Sequence, residues 1–134
     1  ELSKRKGQGP ATISEIATAQ AIPSRFLEGI LVQLKQGGFV ESRRGKNGGY
    51  TLAKSPEEIS VGDIMRFMQI SMDPVDCYKS TSKERCQFYQ ECVFLPMWER
   101  VSKAISEVYD TTFFQDLVDQ EKVRAGAQKP VYCI

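Results

Sequence analysis

A mainly α-helical chain with one small β-hairpin is the fold class predicted here, on three observations. Apolar residues recur at spacings of three and four through most of the 134 residues. One basic stretch, residues 39–52, instead alternates and carries an Asn-Gly turn signal. The pieces follow in the order helix, proline break, helix, glycine pair, hairpin and later a long helix, which is a winged helix-turn-helix with a helical extension.

The opening Lys4 to Pro10 has no apolar period and ends Gly7-Gln8-Gly9-Pro10, so it reads as a mobile connector. The chain begins at Glu1 rather than Met, and a preceding segment is expected. Ile13, Ile16, Ala17 and Ala21 then share one face of a first helix with Ser14 as its N-cap. Ile22-Pro23 breaks that helix, because a residue before proline is pushed out of the α region. Ser24 is the expected cap of a second helix, with Phe26, Leu27, Ile30, Leu31 and Leu34 along its buried stripe and Gly37-Gly38 at its end. Phe39 to Arg43 forms one strand, Lys46-Asn47-Gly48-Gly49 the turn, and Tyr50-Thr51-Leu52 the return.

After Pro56, Ser60 and Asp63 fit a capping box, and Val61, Ile64, Met65, Phe67 and Met68 give a core-facing stripe. Residues 71–93 lose periodicity. The longest helix begins near Pro96, where Phe94, Trp98, Val101, Ile105 and Val108 recur at heptad spacing and suit a dimer seam. Thr112 and Gln115 fit another capping box before Phe113, Phe114, Leu117 and Val118, and the rest reads as a polar tail. The expected division is residues 1–70 as the winged helix-turn-helix, 71–93 as a cysteine-containing sensor loop, and 94–134 as dimerisation helix and tail.

Composition excludes whole classes of chemistry. There are four Cys and no His, so Ser-His and Cys-His dyads, H-E-x-x-H metal helices and imidazole ligands are impossible from this chain. An enzyme is therefore not expected. The longest apolar run, Cys92 to Leu95, is far short of a membrane span, and no secretory signal is visible; a soluble cytoplasmic protein is the expectation. Net charge is +1, yet residues 1–54 hold nine basic and four acidic side chains, a balance of +5, and residues 55–134 hold nine and thirteen, a balance of −4. A basic front half of this kind suits nucleic acid.

In a helix-turn-helix the start of the second helix faces base edges in the major groove, which here places Ser24, Arg25, Phe26 and Glu28 there. Arg25 suits guanine or phosphate, Ser24 phosphate, and Glu28 the cytosine amino group. The hairpin offers Arg43, Arg44, Lys46, Asn47 and Tyr50 for an adjacent minor groove and its phosphates. The plainer alternative pairs Arg25 with Glu28 on a solvated face and leaves the hairpin a basic edge.

Cys77, Cys86 and Cys92 form a C-x8-C-x5-C pattern in the aperiodic loop. Thiolates at mixed spacings suit an iron-sulfur cluster. Redox thiols come next, and zinc last, since neither a C-x2-C knuckle nor a histidine is present. Unrelated core cysteines fit poorly with the polar surroundings Tyr78 to Glu91. A small redox or electron-carrier protein is the rival from another class.

The runs Ile13-Ser14-Glu15-Ile16-Ala17, Phe26-Leu27-Glu28, Gly38-Phe39-Val40-Glu41-Ser42, Arg44-Gly45 and Gly48-Gly49-Tyr50-Thr51-Leu52-Ala53 resemble the Rrf family of bacterial winged-helix transcriptional regulators. The resemblance spans residues 11–118. It implies a homodimeric repressor on a partly palindromic double-stranded DNA operator, Arg44 as the minor-groove arginine, and Glu28 as a recognition-helix residue that modulates sequence choice. It further implies that Cys77, Cys86 and Cys92 hold an iron-sulfur cluster, two-iron or four-iron. Leu95 stands where the family's two-iron member has histidine, and the interval from Cys77 to Cys86 is longer than usual. Only the tail of the family's first helix, around Glu1 to Lys4, is expected here. Control by cysteine oxidation or by a protein partner, without a cluster, is the alternative on the same fold.

Overall fold

Thr12 and Glu15 start the first helix of the computed structural model, which describes residues 1–76 and 86–127. Helix α1 (Ile13–Gln20) begins with a capping box: Thr12 Oγ1 accepts the Glu15 N–H at 3.2 Å, and the Glu15 carboxylate accepts the Thr12 N–H at 2.7 Å. Thr12, not the expected Ser14, is the cap, because a Glu three residues on reaches only that position. Ala21, expected on the buried face, is exposed and left-handed at φ 51°. Helix α2 (Ser24–Gln36) has Pro23 at its N-cap with no side-chain cap, so Ser24 is its first helical residue instead. Leu27 and Leu31 are buried, with Ile30 and Leu34 half-buried beside them. Those four already fill a stripe of roughly 100°. Phe26 falls outside it and is 67% exposed, contrary to the expected stripe.

A glycine pair ends α2. The Gly38 N–H reaches the Lys35 carbonyl at 3.1 Å and the Phe39 N–H reaches that of Leu34 at 2.9 Å, with Gly38 at φ 70°. This is the paired left-handed exit that only glycine adopts at no steric cost. Strands β1 (Val40–Arg43) and β2 (Gly49–Leu52) follow, antiparallel, with Val40 opposite Leu52 and Arg43 opposite Gly49. The connection is a five-residue loop, 44–48, closed by the Gly48 N–H on the Gly45 carbonyl at 2.9 Å. Ala11 and Tyr50 exchange two backbone hydrogen bonds at 2.9 and 2.8 Å, which adds a one-residue third edge to the hairpin. That approach requires glycine next door, since a Cβ on Gly49 would lie 2.5 Å from the Ala11 carbonyl oxygen.

The chain divides into two compact units. In the first, Glu1–Ser60 with Phe113–Ile134, the core is Ala11, Ile16, Ala17, Leu27 and Leu31, with Leu2, Ile13, Ile22 and Tyr50 against it. The opening residues are not the free connector expected from their composition. They form a turn with the Arg5 N–H on the Glu1 carbonyl at 3.3 Å, and Lys6 Nζ lies 2.9 Å from the Glu57 carboxylate. Lys4 Nζ reaches Glu1 and Glu121, each at 3.0 Å. Helix α3 (Val61–Phe67) belongs to the second unit and α5 (Phe114–Ala127) to the first. Helix α5 is preceded by a Phe113 N–H held on the Asp116 carboxylate at 3.0 Å, while the Thr112 hydroxyl donates to the Val108 carbonyl. Asp116 therefore does the capping expected of Thr112 and Gln115, and the helix continues where a tail was expected.

The second unit, Val61–Thr112, contains α3 (Val61–Phe67), a 3₁₀ turn at Tyr89–Glu91 and α4 (Leu95–Thr111), with Pro96 in the first turn of α4 as expected. Gly62 is buried, and a Cβ there would collide with the Asp110 carboxylate. Arg66 Nη2 holds that carboxylate at 2.7 Å. The expected α3 stripe is only partly covered: Val61, Ile64, Met65 and Met68 are half-buried and Phe67 is exposed.

Candidate nucleic-acid interface

The start of α2 and the hairpin tip present the residues that the sequence selects. Ser24, Arg25, Phe26 and Glu28 are exposed, as are Arg43, Arg44, Lys46 and Asn47. Tyr50 differs: it is half-buried, packs on the core and bridges Ala11, so its side chain braces the hairpin. Among the described residues Arg25 forms no ion pair with Glu28, and Arg43, Arg44 and Lys46 form none with any carboxylate. The cations of the opening turn, by contrast, are neutralised. Arg5 Nε meets Glu1 at 2.8 Å, and Lys4 and Lys6 have the partners given above. The Ser55 hydroxyl and then the Lys6 ammonium hold the Glu57 carboxyl down at about 2. The open positive charge of the front half thus lies on α2, the hairpin and Lys54 just beyond it.

One tie fixes the hairpin to α2 and a second closes the base of the hairpin, and neither has a periodic signature in the sequence. Lys35 Nζ donates to Ser42 Oγ at 2.6 Å, and Lys54 Nζ stands 5.9 Å from the Phe39 ring centroid, within cation–π range. Gly45, at φ 109°, supplies the left-handed step of the tip.

In the second unit, Cys86 and Cys92 are half-buried free thiols at either end of the Tyr89–Glu91 turn. The Tyr89 N–H bonds the Cys86 carbonyl at 3.0 Å and the Leu95 N–H that of Cys92 at 3.1 Å, so one turn and the start of α4 carry both cysteines. Cys77 lies outside the described residues, as does Cys133. Among the described residues no group of three or more Cys, Asp or Glu stands ready for a metal. Thiolate sulfur is nevertheless the ligand iron-sulfur clusters take, so the donor set fits in kind. On α4, Trp98, Val101 and Ile105 are half-buried, and Phe94 and Val108 are exposed. No described helix is long and apolar enough to cross a membrane.

A helix-turn-helix braced to a basic wing, with its cations unpaired, defines a transcriptional regulator of the winged-helix class. The chain matches the Rrf2 family, described as "Iron-dependent Transcriptional regulator", over residues 1–120, and it belongs to that family. It is 32% identical over 117 residues to the HTH-type transcriptional regulator CymR of Bacillus subtilis (strain 168), covering 87% of this chain and 78% of that one. Its fold resembles the structure of CymR (YrzC), the global cysteine regulator of B. subtilis, with TM-score 0.70, 29% identity and coverage of 89% and 85%. It also resembles T. potens IscR, with TM-score 0.69, 32% identity and coverage of 96% and 81%. The mainly helical fold with a winged hairpin is therefore as the sequence predicts, and these relatives are regulators rather than enzymes.

Proposed function

We propose that the chain is a homodimeric repressor that binds a partly palindromic operator in double-stranded DNA. Ser24, Arg25, Phe26 and Glu28 enter the major groove; Arg43, Arg44, Lys46 and Asn47 take the adjacent minor groove and its phosphates, with Tyr50 bracing them. Phe94, Trp98, Val101, Ile105 and Val108 form the seam between copies. The observation that carries this reading is the set of exposed cations on α2 and the wing without carboxylate partners, in a unit whose opening cations Lys4, Arg5 and Lys6 are each paired. Two recognition helices must match half-sites about one DNA turn apart, so any rearrangement at the seam shifts the population competent to bind. The test is operator binding across a salt series with DNA from upstream of the chain's own gene. Affinity should fall steeply with salt; a slope no greater than that of a neutral control would remove the phosphate contacts.

Cys77, Cys86 and Cys92 are the proposed ligands of an iron-sulfur cluster. When bound, such a cluster supplies an iron- or redox-dependent state. The chain's part is to supply three sulfurs, two of which, on Cys86 and Cys92, stand just ahead of α4, so that their ligation and the start of the helix are coupled. A second reading, thiol control without a cluster, is favoured by the two half-buried unpaired thiols and by the likeness to CymR. Protein purified without oxygen separates them: the cluster reading expects visible absorbance and bound iron, both reduced in Cys86→Ala. Colourless, iron-free protein after reconstitution leaves thiol control.

A further inference from the structure

We propose that Phe26, Gly29 and Val32 form an uncharged notch on α2 that receives the 5-methyl group of a thymine in each half-site. This rests on the operator reading above and adds a base preference to it. Gly29 sits inside a 13-residue helix, where glycine is less favourable than alanine. Nothing in the fold requires it. Its φ is not in the left-handed region, and a Cβ built there meets nothing within 4 Å. One turn earlier Phe26 is 67% exposed, and one turn later Val32 is 46% exposed, on the side of α2 away from Leu27 and Leu31. A bare backbone position between two exposed apolar side chains is a shallow notch with no hydrogen-bonding side chain of its own.

The flanking chemistry selects the occupant. Arg25 and the wing cations Arg43, Arg44 and Lys46 in the same unit attract a phosphate backbone, which brings base edges against α2. Of the groups on the major-groove floor, only the thymine methyl is apolar. The absent side chain at position 29 lets it approach, and the Phe26 ring covers it.

The experiment selects binding duplexes from a random pool with the full chain, then replaces each selected thymine by deoxyuridine, one at a time, which removes only the methyl. One position per half-site should lose affinity about fourfold, the equivalent of one buried methyl group. In Phe26→Ala that penalty should disappear. Gly29→Ala should raise the thermal midpoint while weakening the unmodified duplex, because its methyl fills the notch. A flat deoxyuridine scan on a selected duplex, or a Gly29→Ala protein that binds as tightly as the parent, overturns the notch and leaves the operator reading standing. Failure to select any duplex overturns both.

Discussion

Every buried aliphatic side chain among the described residues, from Ala11 through Leu31 and Val40 to Ile59 and Val118, belongs to the unit Glu1–Ser60 with Phe113–Ile134. The described residues of the unit Val61–Thr112 include none, yet they hold Phe67, Ile70, Phe88, Val93, Phe94, Met97 and Val108, all exposed. One unit completes its own core. The other leaves seven large apolar side chains exposed. The difference separates two kinds of requirement on the same chain: the first unit needs complementary packing to itself, and the second, in the proposed reading, to another copy.

The comparison is broken most directly by deleting core from the self-sufficient unit. Leu31→Ala should destabilise by about 2–5 kcal/mol in denaturant unfolding, because a side chain only 2% exposed leaves a cavity. A Leu31→Ala protein that unfolds like the parent would mean that the core lies elsewhere. In the second unit the expectation reverses. Val108→Asp changes a side chain 61% exposed, and such surface changes stay within roughly 0.5 kcal/mol in a lone chain. As a seam residue it should instead abolish the dimer in sedimentation and reduce operator affinity about a hundredfold, through loss of the second half-site. A monomeric parent protein, or a variant that remains dimeric, would remove α4 from the interface.

Smaller effects sharpen the boundary within the first unit. Arg44→Ala should cost about 1–3 kcal/mol of operator binding if it reads bases, whereas a lost phosphate contact alone lowers the salt slope by about one. Its unfolding midpoint should not move, since Arg44 is exposed and has no carboxylate partner among the described residues. Glu57 gives the smallest effect and one of stability alone. Its carboxyl is depressed from 4.5 to about 2, first by the Ser55 hydroxyl and then by Lys6. A depressed acid stabilises the fold at pH above its ordinary value, and that contribution is lost as pH falls from there through about 2. The stability gap between the parent and Glu57→Gln should therefore be present at neutral pH and close over that acidic window. A gap independent of pH would assign the effect to packing.

Legibility in the sequence followed the physical range of each signal. The positions of α1 and α2 were readable because burial imposes a period of 3.6 on consecutive residues, and the hairpin because its glycines and Asn47 signal a turn, since β1 buries Val40 alone and β2 is half-buried throughout. The caps were misassigned where the deciding partner is not the apolar pattern: Glu15 selects Thr12, and Asp116 takes the place given to Thr112. Past Val118 the residues of α5 are mostly exposed and polar, so apolar periodicity could not show how far the helix runs. The opening turn is held by Glu1, Glu57 and Glu121, two of them far away in sequence. At the candidate interface, residue types were legible but their electrostatic state was not. Only the fold shows that Lys4, Arg5 and Lys6 are neutralised while Arg25 and Arg44 remain open.

The two-glycine exit of α2 has a consequence for how such a protein changes its target. Only three residues, Gly37 to Phe39, separate the end of α2 from the first residue of β1, and their backbone hydrogen bonds leave no slack. Helix and wing are thus the jaws of a fixed caliper, whose opening is set by the main chain and locked by the Lys35–Ser42 tie. In the proposed reading, operator letters met by positions 25, 26 and 29 are then free to drift in evolution without resetting the gap to the groove met by Arg44. A one-residue insertion at Gly38 would do the opposite, sparing every reading side chain and spoiling the measurement.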